Sequence, residues 1–329
     1  CGFDSRPGHH NQKVKMTTNA LLFFIGIVLL WGGTDLVLRR IPRLAAWLRV
    51  SPLVVTVTLV AVMTSLPEFS VSLFASLRGQ PSAAVGNIVG SNFVTLTFVA
   101  GVCALWRPIV IGPTLRDRES SWMILSAALL LVLAMDGRLS RTDGAILLLA
   151  YFPYFHATLT DARQQRSETI KTMSAHPWSD LLFFVVGVGL VILGARWIVE
   201  HGTALARNWG MSDLLIGVTF YAFGTSLPEL AIALGAVWHR QADVTLGEVY
   251  ASNIFTGLAV AGALCLIRPL EVEPLIVGRD LPLLIVAGVL LQLFVTSGGR
   301  FVRSEALAMI ALFVVFLYMQ FTGTTLSLP

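Results

Sequence analysis

The segment Thr64-Ser65-Leu66-Pro67-Glu68 returns as Thr225-Ser226-Leu227-Pro228-Glu229, and each copy lies within an apolar run. This pair constrains the fold more than any other feature of the chain. A carboxylate at membrane depth is costly and has to face a polar interior. Proline supplies no N–H, so the carbonyl one turn earlier is left to another partner. The surrounding composition is 55% hydrophobic and 13% charged, with a mean hydropathy of +0.76. An ordinary soluble domain carries about a quarter charged residues, so that class is excluded.

The duplication reaches well beyond five residues. Gly33 to Asn92 aligns without a gap on Gly194 to Asn253, and between Ser51 and Asn92 there are 16 identities in 42 positions. Among them are Ser51/Ser212, Thr58/Thr219, Gln80/Gln241, Gly86/Gly247 and Asn92/Asn253. Ten apolar segments are expected when each is judged against the ~20 residues that span a bilayer: 20–37, 52–77, 83–106, 120–135, 143–156, 180–199, 213–238, 244–267, 281–296 and 305–321. Five crossings per half turn the second half upside down relative to the first, which makes the repeat an inverted one with a binding site between its halves.

The expected fold is therefore an all-α polytopic membrane protein of ten transmembrane helices in two inverted five-helix repeats. The first repeat covers 16–156, a linker 157–179, and the second repeat 180–329. Residues 1–15, polar and containing His9-His10, are expected to be a disordered tail or an upstream extension. Odd-numbered connections hold thirteen Arg and Lys against six on the other side. By the positive-inside rule the linker is then cytoplasmic and both termini are outside.

Ala61, Thr64, Ser65 and Glu68 share one helix face. That face presents a carboxylate, two hydroxyls and loosened carbonyls, the hard oxygen donors that suit Na⁺ and Ca²⁺. Ala222, Thr225, Ser226 and Glu229 repeat it. Together the two faces form a cage of two negative charges, enough for one divalent or two monovalent cations. The helices that follow carry a polar stripe of Asn87, Ser91 and Thr95 and its counterpart Glu248, Ser252 and Thr256, which complete the cage. Small residues at Gly86, Gly90, Gly247 and Ala251 let those helices approach closely.

Blander readings stand beside these. Asn92 and Asn253 serve either as ligands or as interhelical hydrogen-bonding groups. Glu248 is either a ligand or a residue at a wet helix end. Asp35 and Arg196, in equivalent places, read as membrane-edge salt-bridge residues, and Tyr221 and Trp238 as packing and interfacial anchors. Cys1, Cys103 and Cys265 lack metal-ligand spacing. No nucleophile–base pair, His-rich metal site or phosphate loop is present, so the chain reads as a non-enzyme without cofactor. With no basic cluster, nucleic acid is not an expected partner. Inorganic cations and membrane lipids are, and no obligatory protein partner is evident.

The two Thr-Ser-Leu-Pro-Glu blocks, each followed 18 residues after its Glu by a Gly-x-x-x-small-Ser-Asn block, resemble the alpha repeats of the sodium/calcium exchanger family of cation antiporters. The resemblance implies a ten-helix fold in a bacterial inner (plasma) membrane that exchanges Ca²⁺ against Na⁺ by alternating access. It implies Glu68 and Glu229 as central ligands, oxygens from Thr64, Ser65, Ser91, Thr225, Ser226 and Ser252, and the carbonyls of Ala61 and Ala222. The first and sixth segments would be the gating helices. Three departures stand out. Met63 faces Gly224 where the family has Gly. Thr95 and Thr256 occupy positions of Asn or Asp, and Glu248 occupies one where Asn is commoner, as at Asn87. Glu248 is expected to restore the charge missing at Thr256, about 12 Å away along the helix at 1.5 Å per residue. Two alternatives remain: a proton-coupled cation antiporter, with Glu68, Glu229 or Glu248 titrating, and a cation channel.

Overall fold

A computed structural model describes the backbone over residues 7–164, 177–209 and 224–322, and side chains over 16–160, 177–209 and 224–322. It is helical almost throughout. Helix α1 runs Pro7–Leu48, beginning within the stretch expected to be an unstructured tail; residues 1–6 lie outside the described residues. A proline at the first helical position suits this start, because its missing N–H would have had no intrahelical partner. Helix α2 (Pro52–Leu77) follows Ser51, whose hydroxyl accepts from Val54 N–H at 3.4 Å, and α3 covers Pro81–Trp106. Helix α4 (Ser120–Ala134) is led by a π turn over Thr114–Glu119. Helix α5 (Arg141–Gln164) starts on a reciprocal cap: Asp143 accepts from Ser140 N–H at 2.7 Å, and the Ser140 hydroxyl accepts from Asp143 N–H at 3.3 Å.

Helix α6 spans Pro177–Asn208 and α7 spans Leu227–Trp238. Helix α8 covers Ala242–Ile267, α9 Leu281–Gly298 and α10 Arg303–Thr322. Among the described residues, four two-residue strands pair antiparallel across the chain. Strand β1 (Ile109–Val110) joins β4 (Arg300–Phe301), and β2 (Arg138–Leu139) joins β3 (Leu270–Glu271).

Among the described residues, seven helical stretches are long and apolar enough to cross a membrane: Met16–Leu48, Pro52–Leu77, Pro81–Trp106, Pro177–Asn208, Ala242–Ile267, Ile276–Gly298 and Arg303–Thr322. In α3 and α8, 78% and 72% of the apolar window is buried, against 28% in α1 and α10. The two helices that follow the duplicated blocks therefore form the centre, and α1 and α10 lie at the rim. One large apolar core surrounds α3 and α8, including the Phe93–Phe316 stack with centroids 4.0 Å apart. A separate core holds α1 and α6 to α2 and α7 through Leu38, Ile41, Phe184 and Val188.

Helices α1 and α6 touch backbone to backbone. A Cβ on Gly26 would lie 3.0 Å from the Gly194 carbonyl, and one on Gly33 would lie 2.7 Å from the Gly187 carbonyl. Gly26 and Gly33 are the sequence equivalents of Gly187 and Gly194, so one small-residue pattern, used twice, makes the whole seam. Near the ends of that seam, Arg40 pairs with buried Asp180 at 2.6 Å, and His201 Nδ1 meets Asn19 Oδ1 at 3.1 Å.

Candidate cation-binding site

Both duplicated blocks leave the helical conformation at the same serine. Ser65 sits at φ −81°, ψ 4° and Ser226 at φ −87°, ψ 6°, outside the α-helical well. The ladder resumes with Phe69 N–H donating to the Ser65 carbonyl at 3.1 Å, and Leu230 N–H to the Ser226 carbonyl at 3.0 Å. Pro67 and Pro228 fall in the first turn after the break, where proline is tolerated, and Glu68 and Glu229 follow directly. The consequence is two helices, each entered through a turn, whose first turns bring a carboxylate inward beside a threonine and a serine hydroxyl.

Glu68, Glu229 and Glu248 are all buried, as are Thr64, Ser65 and Ser226. The Thr64 hydroxyl on α2 donates to Glu248 Oε1 on α8 at 2.5 Å, and Thr64 also stands beside Glu229. Glu229 in turn faces both Glu68 and Glu248, and Thr225 lies against Glu68 without forming a hydrogen bond to it. Elements from the two halves of the sequence thus meet at one cluster of three carboxylates. Glu68 Oε1 and Oε2, Glu229 Oε2, Glu248 Oε2, Ser65 Oγ and Ser226 Oγ are buried with no hydrogen-bond partner among the described residues.

Buried polar oxygens are normally satisfied, and a buried charge without a counter-charge is far costlier still. A group of acceptor oxygens left open together fits a hard cation better than any other occupant. Among the described residues no three His, Cys, Asp or Glu side chains converge closely enough to hold an ion by themselves. Hydroxyl and carbonyl oxygens would have to complete the shell of such an ion.

The other expected ligands are placed differently. Ser91 and Ser252 are buried, and their hydroxyls donate to the carbonyls of Ile88 and Val249, each at 3.2 Å. Ala61 is buried, and its carbonyl accepts from Ser65 N–H at 3.1 Å and from the Thr64 hydroxyl at 3.2 Å. Ala222, like Thr219 and Tyr221, lies outside the described residues. Asn87 Nδ2 donates to the Glu68 carbonyl at 3.3 Å and to Ser72 Oγ at 3.0 Å, which ties α3 to the backbone of α2 rather than to the carboxylates.

Thr95 and Thr256 belong to a second polar layer. Asn253 Nδ2 donates to Thr95 Oγ1 at 2.7 Å, the Thr256 hydroxyl donates to Asn92 Oδ1, and Asn92 Nδ2 reaches the Asn253 carbonyl at 3.4 Å. Asn92 and Asn253 thereby link α3 to α8, the hydrogen-bonding role of the two open at the sequence level. Glu248 is fully buried, so the wet helix end is ruled out. Asp35 and Arg196 do not meet: Asp35 pairs with Arg39 at 2.7 Å and with His239 at 3.2 Å, and Arg196 pairs with Glu200 at 3.7 Å. Equivalent positions here lie on different helices, each with an opposite charge one turn away. Trp238 is exposed, as an interfacial anchor would be.

Comparison with known proteins gives a consistent result. The model of the family described as sodium/calcium exchanger protein matches residues 18–159 and 179–322. Inner membrane protein YrbG of Escherichia coli is 32% identical over 83% of this chain and 87% of its own length. Sodium/calcium exchanger MaX1 of Methanosarcina acetivorans is 27% identical over 93% of this chain and 99% of its own. A solved structure of the sodium-calcium exchanger NCX_Mj superposes with a TM-score of 0.81 at 29% identity, covering 92% of this chain and 99% of that one.

Proposed function

The chain belongs to the sodium/calcium exchanger family, and from that premise we propose that it is a secondary antiporter exchanging Ca²⁺ against Na⁺ by alternating access. It is an integral, multi-pass membrane protein. The observation that carries the reading is the set of open carboxylate and hydroxyl oxygens supplied jointly by both halves of the chain.

Glu68 and Glu229 act as the central ligands in this reading, with Ser65, Ser226, Thr64 and Thr225 beside them and the carbonyls of Ala61 and Ala222 completing the shell. Ser91 and Ser252 line the outer side. Ten transmembrane helices in two inverted five-helix repeats, 16–156 and 180–329 about the linker 157–179, form the architecture. Its support is the recurrence of the same backbone turn at Ser65 and Ser226 and the two separate matches to one family model. The linker is cytoplasmic and the termini outside, in a bacterial inner membrane.

The mechanism follows from charge. Three buried carboxylates cannot move through, or be sealed within, a low-dielectric region while bare. A bound Ca²⁺ or a set of Na⁺ ions removes that penalty, and the empty cage resists switching. Exchange is obligatory for that reason. Helices α1 and α6, joined by their glycine seam and packed in a core separate from the main one, are the elements suited to slide as a pair.

A proton-coupled version of the same cycle is the second reading. The third carboxylate, Glu248, favours it, because one Ca²⁺ balances only two of the three charges. Radioactive Ca²⁺ uptake into proteoliposomes under imposed Na⁺ or proton gradients separates the readings. Uptake driven by outward Na⁺ and abolished by Glu68→Gln or Glu229→Gln supports Na⁺ exchange. Uptake that follows the proton gradient and ignores Na⁺ refutes it.

A further inference from the structure

Two arginines near Trp106 and Trp238 have no role in the cation cage. Arg107 follows the last turn of α3 in an extended conformation, φ −150°, ψ 127°. Arg240 follows α7 at φ +61°, in the left-handed region that an arginine seldom adopts. They line one cleft of about 230 Å³, with Thr245 of α8 as a third polar group. Both side chains are exposed, and neither has a hydrogen bond or ion pair among the described residues.

The internal repeat provides a control. The counterpart of Arg240 is Gly79, at φ +80°, the residue that geometry calls for. The counterpart of Arg107 is Arg268, which donates to the Ser76 carbonyl at 3.0 Å. In the other half the arginine that follows the helix is thus already engaged and the left-handed position is a glycine, with Arg78 one residue earlier where this half has His239. Two guanidinium groups left open in one cleft point to an anionic ligand.

An apolar groove of about 370 Å³ adjoins the cleft at the Trp106–Trp238 pair, whose rings lie 5.8 Å apart. Ile27, Leu30 and Trp31 of α1 form one wall, and Ala231 and Leu234 of α7 the other. Its polar end, Asp35 and His239, is internally paired. Tryptophans of this kind sit at headgroup depth. Guanidinium groups fit phosphate oxygens in a bidentate manner, and basic pockets between membrane helices recognise anionic headgroups.

We propose that this cleft and groove bind one anionic phospholipid, its phosphate held by Arg107 and Arg240 and an acyl chain lying between α1 and α7. Because the lipid bridges α1 to α7, it also tunes the movement of α1; that part alone rests on the antiporter reading.

The test uses the full chain purified in detergent and equilibrated with an equal-part mixture of phosphatidylglycerol and phosphatidylcholine, with retained lipid counted by native mass spectrometry. The wild-type chain is expected to keep one phosphatidylglycerol in preference to phosphatidylcholine. Arg107→Gln and Arg240→Gln together are expected to lower that preference at least fivefold. Arg240→Gly, which relaxes the backbone, should lower it too and so separates lipid loss from misfolding. Arg196→Gln, at an exposed arginine on α6, should leave the preference intact. Unchanged preference in the double variant, equal loss in Arg196→Gln, or full displacement by inorganic phosphate overturns the proposal. Lipid retention is read without transport, so failure of the exchange reading leaves this test standing.

Discussion

Glu248→Gln is the perturbation with the most to say about the cage. Glutamine keeps the size and one acceptor oxygen of glutamate, so the bond from the Thr64 hydroxyl, 2.5 Å in the native chain, can persist. The charge does not. At an effective dielectric of about 20, a unit charge pair about 5 Å apart is worth about 3 kcal/mol, and a divalent ion doubles the attraction. Relief of repulsion from Glu68 and Glu229 offsets much of that. A net loss of about 1.5–3 kcal/mol is expected, which weakens Ca²⁺ half-saturation roughly 10–100-fold. The ion-free protein should respond in the opposite direction. Removing an unpaired buried charge lowers a burial penalty, so its melting temperature should rise while the extra stabilisation by Ca²⁺ shrinks. Proteoliposome uptake over a range of Ca²⁺ and melting curves with and without Ca²⁺ supply both numbers. Unaltered half-saturation with an unaltered calcium-dependent melting shift would refute the placement of Glu248 in the cage.

Other outcomes follow from the same geometry. Gly194→Ala puts a Cβ 2.5 Å from Leu30 N and 2.7 Å from the Gly26 carbonyl, where only backbone could yield. It should slow exchange at least tenfold and cost about 1–3 kcal/mol of stability, whereas Gly189→Ala on the same helix meets nothing within 4 Å and should be silent in both assays. Arg240→Gly relieves a left-handed arginine, and should stabilise the lipid-free protein by about 1 kcal/mol in denaturant titrations. Glu119→Gln removes the negative charge that Arg118 meets and weakens the Tyr154 hydroxyl bond, 2.8 Å in the native chain. Breaking a fully buried pair costs about 3–5 kcal/mol; with the Arg118 side chain 17% exposed the loss should be smaller, so the melting temperature should fall, with Ca²⁺ half-saturation of the folded fraction unchanged.

The parts of this protein that were legible in its sequence are those governed by local chemistry. A proline followed by a glutamate in an apolar run dictates a backbone turn with an inward acid, and the same non-helical serine conformation stands at Ser65 and Ser226. Duplication made the joint site legible as well, because two costly acids at equivalent depths are mutually explanatory. Side-chain direction across helices was not legible. Asn87 and Glu248 occupy equivalent positions, yet Asn87 caps the Glu68 backbone while Glu248 takes the Thr64 hydroxyl. Nothing along one strand of sequence distinguishes those outcomes; the crossing of α2 over α8 decides them.

The same crossing changes what the Thr95 and Thr256 departures mean. Their hydroxyls are engaged with Asn253 and Asn92 across the α3–α8 contact, so that layer holds the two halves together and presents no charge. Glu248 adds its charge in the other layer, next to Glu229 and Thr64. An acid restored at Thr256 would put charge back into the layer that locks α3 to α8, whereas an acid at 248 changes the electrostatics of the cage and leaves the lock neutral. Thr256→Asp in a Glu248→Gln background should therefore fail to recover the native Ca²⁺ half-saturation and should lower the melting temperature. Full recovery of half-saturation would mean that the two layers are one site.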